Sequence, residues 1–339
     1  MSSVPPRATI IDVAELAGVS RQTVTRALNG LADISPATRE RVVAAARSLN
    51  YRPNRAAQGL VQGRLTTVGF VVDDLSNPYF AELASALSRQ AAERDWSLLL
   101  CDVGSDPVKG RAQLASMTQG VDAVVLTGCR NDTMSLLPDD VLSGTGLRMP
   151  LVMLDGPAHP RLDARVVLDL ATAIGQGIDH LAVSGRTRIA FVDSTEGSGD
   201  RLELYRRHVA SRGLEGESRP SYAGDESMDG GLRAAREILA AWPDVDALVA
   251  YNDIMAIGAL KALAEAGCAV PGDVAVIGID GLAVGRAVTP ELTTLAIDTT
   301  RLAREALGLL HDALGDHTHR DDPSHDISVP LTLTLRESA

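Results

Sequence analysis

Apolar positions at helical spacing predict three short helices at the start of the chain. Thr9 and Asp12 have the spacing of a capping box, and Gly18 tolerates the left-handed backbone that ends a helix. Ser20 can begin the second helix, and Ser35 followed by proline can begin the third. The predicted inward faces are Ile10, Val13, Ala14 and Ala17, then Val24, Ala27 and Leu28, then Val42, Val43, Ala46 and Leu49. Three helices around one small core are typical of a helix-turn-helix module, whose second helix reads DNA.

The outward face of the second predicted helix is polar and basic. It carries Arg21, Gln22 and Arg26, and such side chains pair with the edges of guanine and adenine in the major groove. Candidate contacts to the DNA backbone surround the helix starts: Thr9, Ser20, Thr23, Asn29, Ser35, Thr38 and Tyr51. The alternative is a small solvated helical cap with ordinary surface arginines.

Within residues 51–64, a short linker helix is predicted after Pro53. Two turns are marginal in water, and Gly59 weakens them further, so we expect this segment to become helical only on DNA. Leu60 has no obvious core to join and is a candidate wedge for the minor groove. The alternative is that Leu60 packs in a core or at a domain junction.

The rest of the chain alternates short apolar strands with helical stretches. Strands are predicted at 66–72, 96–101, 121–127, 150–154, 188–193, 246–252 and 274–279. Strands that alternate with helices form parallel sheets from right-handed βαβ units. Two such series predict two Rossmann-like lobes that hold a ligand between them, at the carboxyl ends of the strands.

Charge separates the two parts of the chain. Residues 1–64 hold nine basic and four acidic residues, a net of +5, whereas the remaining residues hold 23 and 40, a net of −17. The positive field is therefore confined to one end, and we expect the acidic body to be repelled by DNA. The chain shows no export signal or long apolar run, and its cysteines (Cys101, Cys129 and Cys268) are widely spaced. We therefore predict a cytoplasmic protein with no membrane contact and neither metal nor cofactor.

Residues 9–60 resemble the head and hinge of the lactose-repressor (LacI/GalR-type) family of bacterial transcription regulators. The matching strings are DVAELAGVSRQTVTRALNG, ISPATRERV and LNYRPNRAAQGL. The resemblance continues through VGFVVDDLSNPYFAEL, VAYNDIMAIGALKAL, VPGDVAVIGID and PELTTL. It implies an all-α head on an α/β body of the periplasmic-binding-protein type, whose chain crosses between lobes three times. We expect a head at 1–50, a hinge at 51–64, a first lobe at 65–162 plus 293–320 and a second lobe at 163–292 plus 321–339.

The resemblance also implies how DNA is bound. Arg21, Gln22 and Arg26 match base-reading positions, and Leu60 matches a hinge residue that intercalates at the centre of a palindromic operator. Thr25 stands where serine is more usual in the family. A homodimer would place two recognition helices on the palindrome. The expected minor-groove residues are Asn54, Arg55, Ala57, Gln58 and Leu60.

Polar and aromatic residues just past the strand ends are the candidate ligand contacts. The resemblance implies effector contacts at Arg201, Asn252 and Asp280, and at the NPYF segment. The predicted set is Asn77, Tyr79, Phe80, Arg201, Asn252 and Asp280, which suits a polyhydroxylated ligand such as a sugar. Alternatives remain for several of them: Tyr79 and Phe80 as core, Arg201 paired with Asp200 or Glu203 at the surface, and the neighbouring Asp253 as a helix cap.

Four departures from the family pattern leave the identity of the effector open. They are Leu204, Glu226, Gly281 and the pair Asp298–Thr299. A sugar or sugar derivative is the family's usual effector, and a nucleobase or another metabolite is the alternative. The expected function is a ligand-responsive repressor, with an activator or a co-repressor-dependent regulator as alternatives. A small-molecule binding protein or an enzyme on the same body is the alternative of another class, but the chain shows no catalytic motif.

Overall fold

The computed structural model describes residues 9–28, 34–49, 51, 66–128, 133–143, 149–197, 199–214, 222–315 and 326–339. Three helices form the head: α1 (Ile10–Ala17), α2 (Arg21–Leu28) and α3 (Pro36–Ser48). Their shared core includes Val13, Val24 and Val42, none of which is exposed. The predicted hinge residues 52–64 lie outside the described residues.

The helices of the head begin and end at the residues predicted from the sequence. Thr9 and Asp12 form a capping box, in which the Thr9 hydroxyl donates to the Asp12 carboxylate at 2.8 Å. Hydrogen bonds from the Thr9 backbone and side chain lower the pKa of Asp12. Gly18 ends α1 at a φ of 64°, and the Ser35 hydroxyl accepts the Thr38 amide at the start of α3. Local sequence signals therefore set the shape of the head.

The first lobe of the body is built around one parallel sheet. Its strands lie in the order β11-β5-β4-β3-β1-β2, and every pairing is parallel. The strands are β1 (Thr66–Val72), β2 (Trp96–Asp102), β3 (Ala123–Thr127), β4 (Leu151–Leu154), β5 (Ala164–Asp169) and β11 (Asp326–Pro330). The helices are α4 (Pro78–Ala92), α5 (Pro107–Thr118), α6 (Asp139–Leu142) and α11 (Thr299–Gly315), with a short 3-10 helix at Thr133–Leu136.

The second lobe repeats the same winding. Its strands lie in the order β12-β10-β9-β8-β6-β7, all parallel except for the antiparallel edge pair of β10 and β12. They are β6 (Ile189–Ser194), β7 (Tyr222–Gly224), β8 (Ala247–Ala250), β9 (Ala275–Asp280), β10 (Thr293–Ala296) and β12 (Thr332–Thr334). The helices are α7 (Leu170–Val183), α8 (Asp200–Ser211), α9 (Met228–Ala241) and α10 (Asp253–Glu265), with a 3-10 helix at Ala283–Arg286. The predicted fold class, a helical head on two Rossmann-like lobes, is confirmed.

The three crossings between the lobes lie further along the chain than expected. We expected them near 162, 292 and 320, but β5 pairs with β4 in the first lobe, so the first crossing follows Asp169. β10 pairs with β9, so the second crossing follows Ala296. The third lies at Leu331, between β11 in the first lobe and β12 in the second. Strand partners decide lobe membership, and sequence spacing does not reveal which partner a short edge strand takes.

Apolar residues of both lobes form one continuous core. It runs from Phe70 on β1 through Ile174 on α7 to Ile277 on β9. None of the helices in the described ranges combines the length and apolar character needed to span a bilayer.

Candidate nucleic-acid interface and ligand cleft

The exposed face of α2 carries the predicted base-reading residues. Arg21, Gln22 and Arg26 are all exposed, while Val24 and Ala27 of the same helix are 0% and 2% exposed. Burial of the apolar side therefore fixes which side chains face outward. Two guanidinium groups and a carboxamide on one helical face have the donors and acceptors that major-groove readout requires.

The predicted phosphate-contacting hydroxyls also serve as helix caps. The Ser20 hydroxyl accepts the Thr23 amide at 3.1 Å, and the Ser35 hydroxyl donates to that of Thr38 at 2.8 Å. Tyr51 is half-buried against the head core. Each cap satisfies one amide of the first turn, and the other amides of that turn, which have no partner within the helix, are where a phosphate can bind. The remaining predicted DNA contacts lie outside the described residues: Asn29, Asn54, Arg55, Ala57, Gln58 and Leu60.

Arg201 is a buried cation of the second lobe. It lies in the first turn of α8 and is 8% exposed. Its Cζ lies 4.4 Å from the centroid of the Tyr251 ring, and its Nη1 donates to the Tyr251 carbonyl and lies 4.0 Å from Oδ1 of Asp280. The burial of Arg201 disfavours the alternative of a surface pair with Asp200 or Glu203, and Glu203 pairs with Arg207 at 3.8 Å. Arg201 thus joins the ends of β8 and β9.

Two carboxylates lie at the carboxyl ends of strands, one in each lobe. Asp280 is the last residue of β9 in the second lobe, and Asp155 directly follows β4 in the first. Both have positive φ angles, 126° and 47°, in a region that residues other than glycine rarely adopt. Asp155 interacts electrostatically with Arg201 and Asp200 of the other lobe. Such backbone strain is frequently found where a ligand is held.

Burial dominates the electrostatics of this cleft. It raises the pKa of Asp280 well above the ordinary value; Arg201 opposes the rise, and three carboxylates (Asp253, Glu226 and Asp155) add to it. Burial likewise raises the pKa of Asp155, again opposed by Arg201. A guanidinium surrounded by carboxyl groups offers donors and acceptors to a ligand rich in hydroxyl groups.

Asn252 and Asp253 both stabilise the start of α10 and the loop beside it. Asn252 is the N-cap of α10, and its side-chain oxygen accepts the Met255 amide at 2.8 Å. Asp253, for which capping was the favoured alternative, accepts the amides of Gly281 and Leu282 at 2.9 and 2.7 Å instead. Tertiary contacts therefore override local capping preference at Asp253.

The NPYF segment begins α4 at the carboxyl end of β1. Asn77 caps the helix by accepting the Tyr79 amide at 3.0 Å. Tyr79 and Phe80 are 6% and 2% exposed and pack edge to face at a centroid distance of 5.3 Å. Both rings belong to the apolar core, which supports the packing alternative for them.

Asp155 was not among the residues predicted for the cleft. The signal was available, because Asp155 directly follows the predicted strand that ends at Leu154. Glu226, noted only as a departure from the family pattern, accepts a hydrogen bond from the Ser194 hydroxyl at 3.0 Å. Its charge acts on Asp280, so this departure lies in the cleft itself.

Together the head and the cleft define a class of protein: a helix-turn-helix DNA-binding unit attached to a two-lobed ligand-binding body. Residues 9–54 match the family described as "Bacterial regulatory proteins, lacI family". Residues 178–339 match "Periplasmic binding protein-like domain". The chain belongs to the LacI family of bacterial transcription regulators.

Relatives match over nearly the whole chain. It is 33% identical to the HTH-type transcriptional regulator GalR of Escherichia coli, over 98% of this chain and 95% of that one. It is 30% identical to the HTH-type transcriptional repressor PurR of Mannheimia succiniciproducens, over 98% of each chain. A solved complex of the transcriptional regulator CelR with cellobiose is similar at a TM-score of 0.69 and 30% identity, covering 98% of this chain and 100% of that one. The expected family and regulatory function are thereby confirmed.

Proposed function

We propose that this regulator binds a palindromic DNA operator as a homodimer and that a sugar or related small metabolite in the cleft alters its operator affinity. The observation that supports this most directly is the exposed trio Arg21, Gln22 and Arg26, which the head core holds outward. Helices α2 of two protomers enter successive major grooves, about one helical turn of DNA apart. The hinge residues, with Leu60 as the wedge, bend the DNA between them.

The first lobe offers a surface for the second protomer. Leu99 and Leu100 lie on β2, the edge strand of the first sheet, and are 43% and 39% exposed. Val108 follows at the start of α5 and is 78% exposed. Large apolar side chains exposed near a sheet edge are candidates for a protein interface. We place the dimer contact here, where two first lobes can change their separation when the cleft is filled.

The cleft supports a ligand with several hydroxyl groups. Arg201 provides a guanidinium donor, and Asp155 and Asp280 provide acceptors from opposite lobes. Asn252 and Glu226 lie beside the same strand ends. The CelR relative was solved with cellobiose, so cellobiose is a suitable first probe. A ligand that touches both lobes favours one relative orientation over another.

We assign repression as the regulatory outcome and the cytoplasm as the location, because the chromosome is the proposed target. We assign no catalytic step to the cleft. The named relatives are regulators, which supports ligand binding without turnover. A ligand recovered unchanged after incubation with the protein is the expected result.

Selection from a random double-stranded DNA library tests the proposal. We expect the retained sequences to share a palindrome, and operator binding to weaken steeply as salt increases. Retention of unrelated sequences at high salt would contradict sequence-specific recognition.

A pair of arginine variants makes the test specific. Arg21→Ala should relax the preference at one base position in each half-site, by about 1–3 kcal/mol. Arg47→Ala, which changes an exposed arginine at the end of α3, is the matched control. The control should weaken binding to all sequences alike or not at all. An unchanged base preference in Arg21→Ala would refute its reading role.

A further inference from the structure

A hydrogen bond joins the two lobes next to the cleft. The backbone amide of Ala283 donates to Oε1 of Glu82 at 3.2 Å. Glu82 lies on α4 of the first lobe, and Ala283 begins the 3-10 helix that follows β9 in the second lobe. The contact therefore connects the lobes through residues far apart in the sequence.

The loop that provides this donor is held firmly on its own side. Three successive amides, those of residues 281, 282 and 283, point to two carboxylates. Asp253 accepts the first two at 2.9 and 2.7 Å, and Glu82 accepts the third. Asp253 is itself fixed by the Thr294 hydroxyl at 2.6 Å. A loop clamped in this way moves with the second lobe as a rigid unit.

The loop also begins at the candidate ligand contact. Asp280 directly precedes it, and Gly281 continues the turn at a φ of 84°. A side chain at position 281 would place its Cβ 2.6 Å from that of Ala296, so the turn is tightly packed. Asp280 is therefore only three residues from the amide of Ala283, which donates to Glu82.

We propose that Glu82 is a positioning residue that sets the relative orientation of the two lobes and thereby couples the ligand cleft to operator affinity. This inference rests on the proposed function. It assigns no ligand contact to Glu82, which acts through the loop that carries Asp280. The carboxylate on α4 and the clamped loop form one connection between the cleft and the lobe that follows the head in the chain.

Amide hydrogen exchange, followed by NMR on the full chain, tests the contact. Glu82→Ala removes the acceptor, whereas Glu82→Gln keeps a carbonyl oxygen at the same place. We expect the Ala283 amide to exchange at least tenfold faster in Glu82→Ala and at the wild-type rate in Glu82→Gln. The amides of Gly281 and Leu282, held by Asp253, should keep their wild-type rates. Equal acceleration at all three amides, or none at Ala283, would overturn the proposal.

A double-mutant cycle on operator affinity tests the coupling without a ligand. Ala283→Pro removes the donor at the first position of a helix, where proline is tolerated, and Leu282 before it already has the extended backbone that proline requires. We expect Glu82→Ala and Ala283→Pro to change the Kd for the selected palindrome by the same factor, threefold or more. The double variant should change the Kd by the same factor as each single variant, and not by the product of the two factors.

Glu93→Ala, which changes an exposed residue at the end of α4, is the control and should match wild type. Additive effects in the cycle, or operator affinities equal to wild type in both single variants, would refute the coupling. If the wild-type protein selects no palindrome, the proposed function is contradicted. The exchange experiment still tests the hydrogen bond between Ala283 and Glu82, because it does not depend on DNA binding. The two failures are therefore distinguishable.

Discussion

Asp253→Asn should reveal the energetic cost of a buried carboxylate. Asp253 is 0% exposed, and burial raises its pKa from 3.8 to about 6 despite hydrogen bonds from Thr294, Leu282 and Gly281. A difference of this size means that folding favours the protonated carboxyl by about 3 kcal/mol. Asparagine can accept both loop amides through its oxygen and donate its own amide to Thr294. The variant therefore keeps the contacts and loses the charge.

The sign of the pH dependence follows from the raised pKa. Between about pH 3.8 and 6 the folded chain holds a proton that the unfolded chain has released. The contribution of Asp253 to the free energy of unfolding is therefore greatest in acid and is lost as the pH rises through 6. Asparagine does not titrate. The stability of Asp253→Asn relative to wild type should increase by about 2–3 kcal/mol between pH 4 and 7.5.

Urea unfolding measures this difference. Trp96 and Trp242 both lie in the body, one in each lobe, so tryptophan emission reports the body and not the head. Wild type and variant are compared at pH 4, 6 and 7.5, at one protein concentration.

Asp179→Asn is a control of opposite sign. The Arg212 hydrogen bond lowers the pKa of Asp179, so its stabilising contribution is lost as the pH falls below the ordinary range. The relative stability of this variant should therefore fall as the pH rises out of the acid range. A flat difference between Asp253→Asn and wild type would refute the reasoning.

Three further changes test other parts of the molecule. Ser338→Ala should destabilise the body by about 1–3 kcal/mol in the same unfolding assay, because the buried hydroxyl accepts the Thr293 amide at 2.8 Å and donates to the Val276 carbonyl at 2.6 Å; a smaller loss would mean that water replaces it. Gly278→Ala should cost about 1–3 kcal/mol, since its Cβ would lie 2.2 Å from Oδ1 of Asp253. Wild-type stability would show that the carboxylate can move aside. Leu60→Ala should weaken operator binding more than binding to random DNA in a filter or gel assay, and equal losses would exclude a wedge.

The cleft was only partly predictable from the sequence. Arg201 and Asp280 were selected because they match effector positions of the family that the chain resembles, and the structure places Nη1 of Arg201 4.0 Å from Oδ1 of Asp280. Asp155 directly follows a predicted apolar strand but was not selected. For Tyr79 and Phe80, the sequence does not distinguish a ring that lines a pocket from a ring in the core, because both environments bury aromatic rings. In the structure both rings pack in the apolar core.

The sequence by itself determined the head and the alternation of strands and helices in the body. Thr9 with Asp12, and Ser35 with Thr38, make their contacts three residues apart, so the signal and the structure lie in the same short segment. Tertiary structure alone decided the lobe crossings and the role of Asp253. Strand β5 takes β11 as a partner across more than 150 residues, and Asp253 reaches the amide of Leu282. Such contacts depend on how distant segments pack, and local pattern carries no information about that choice.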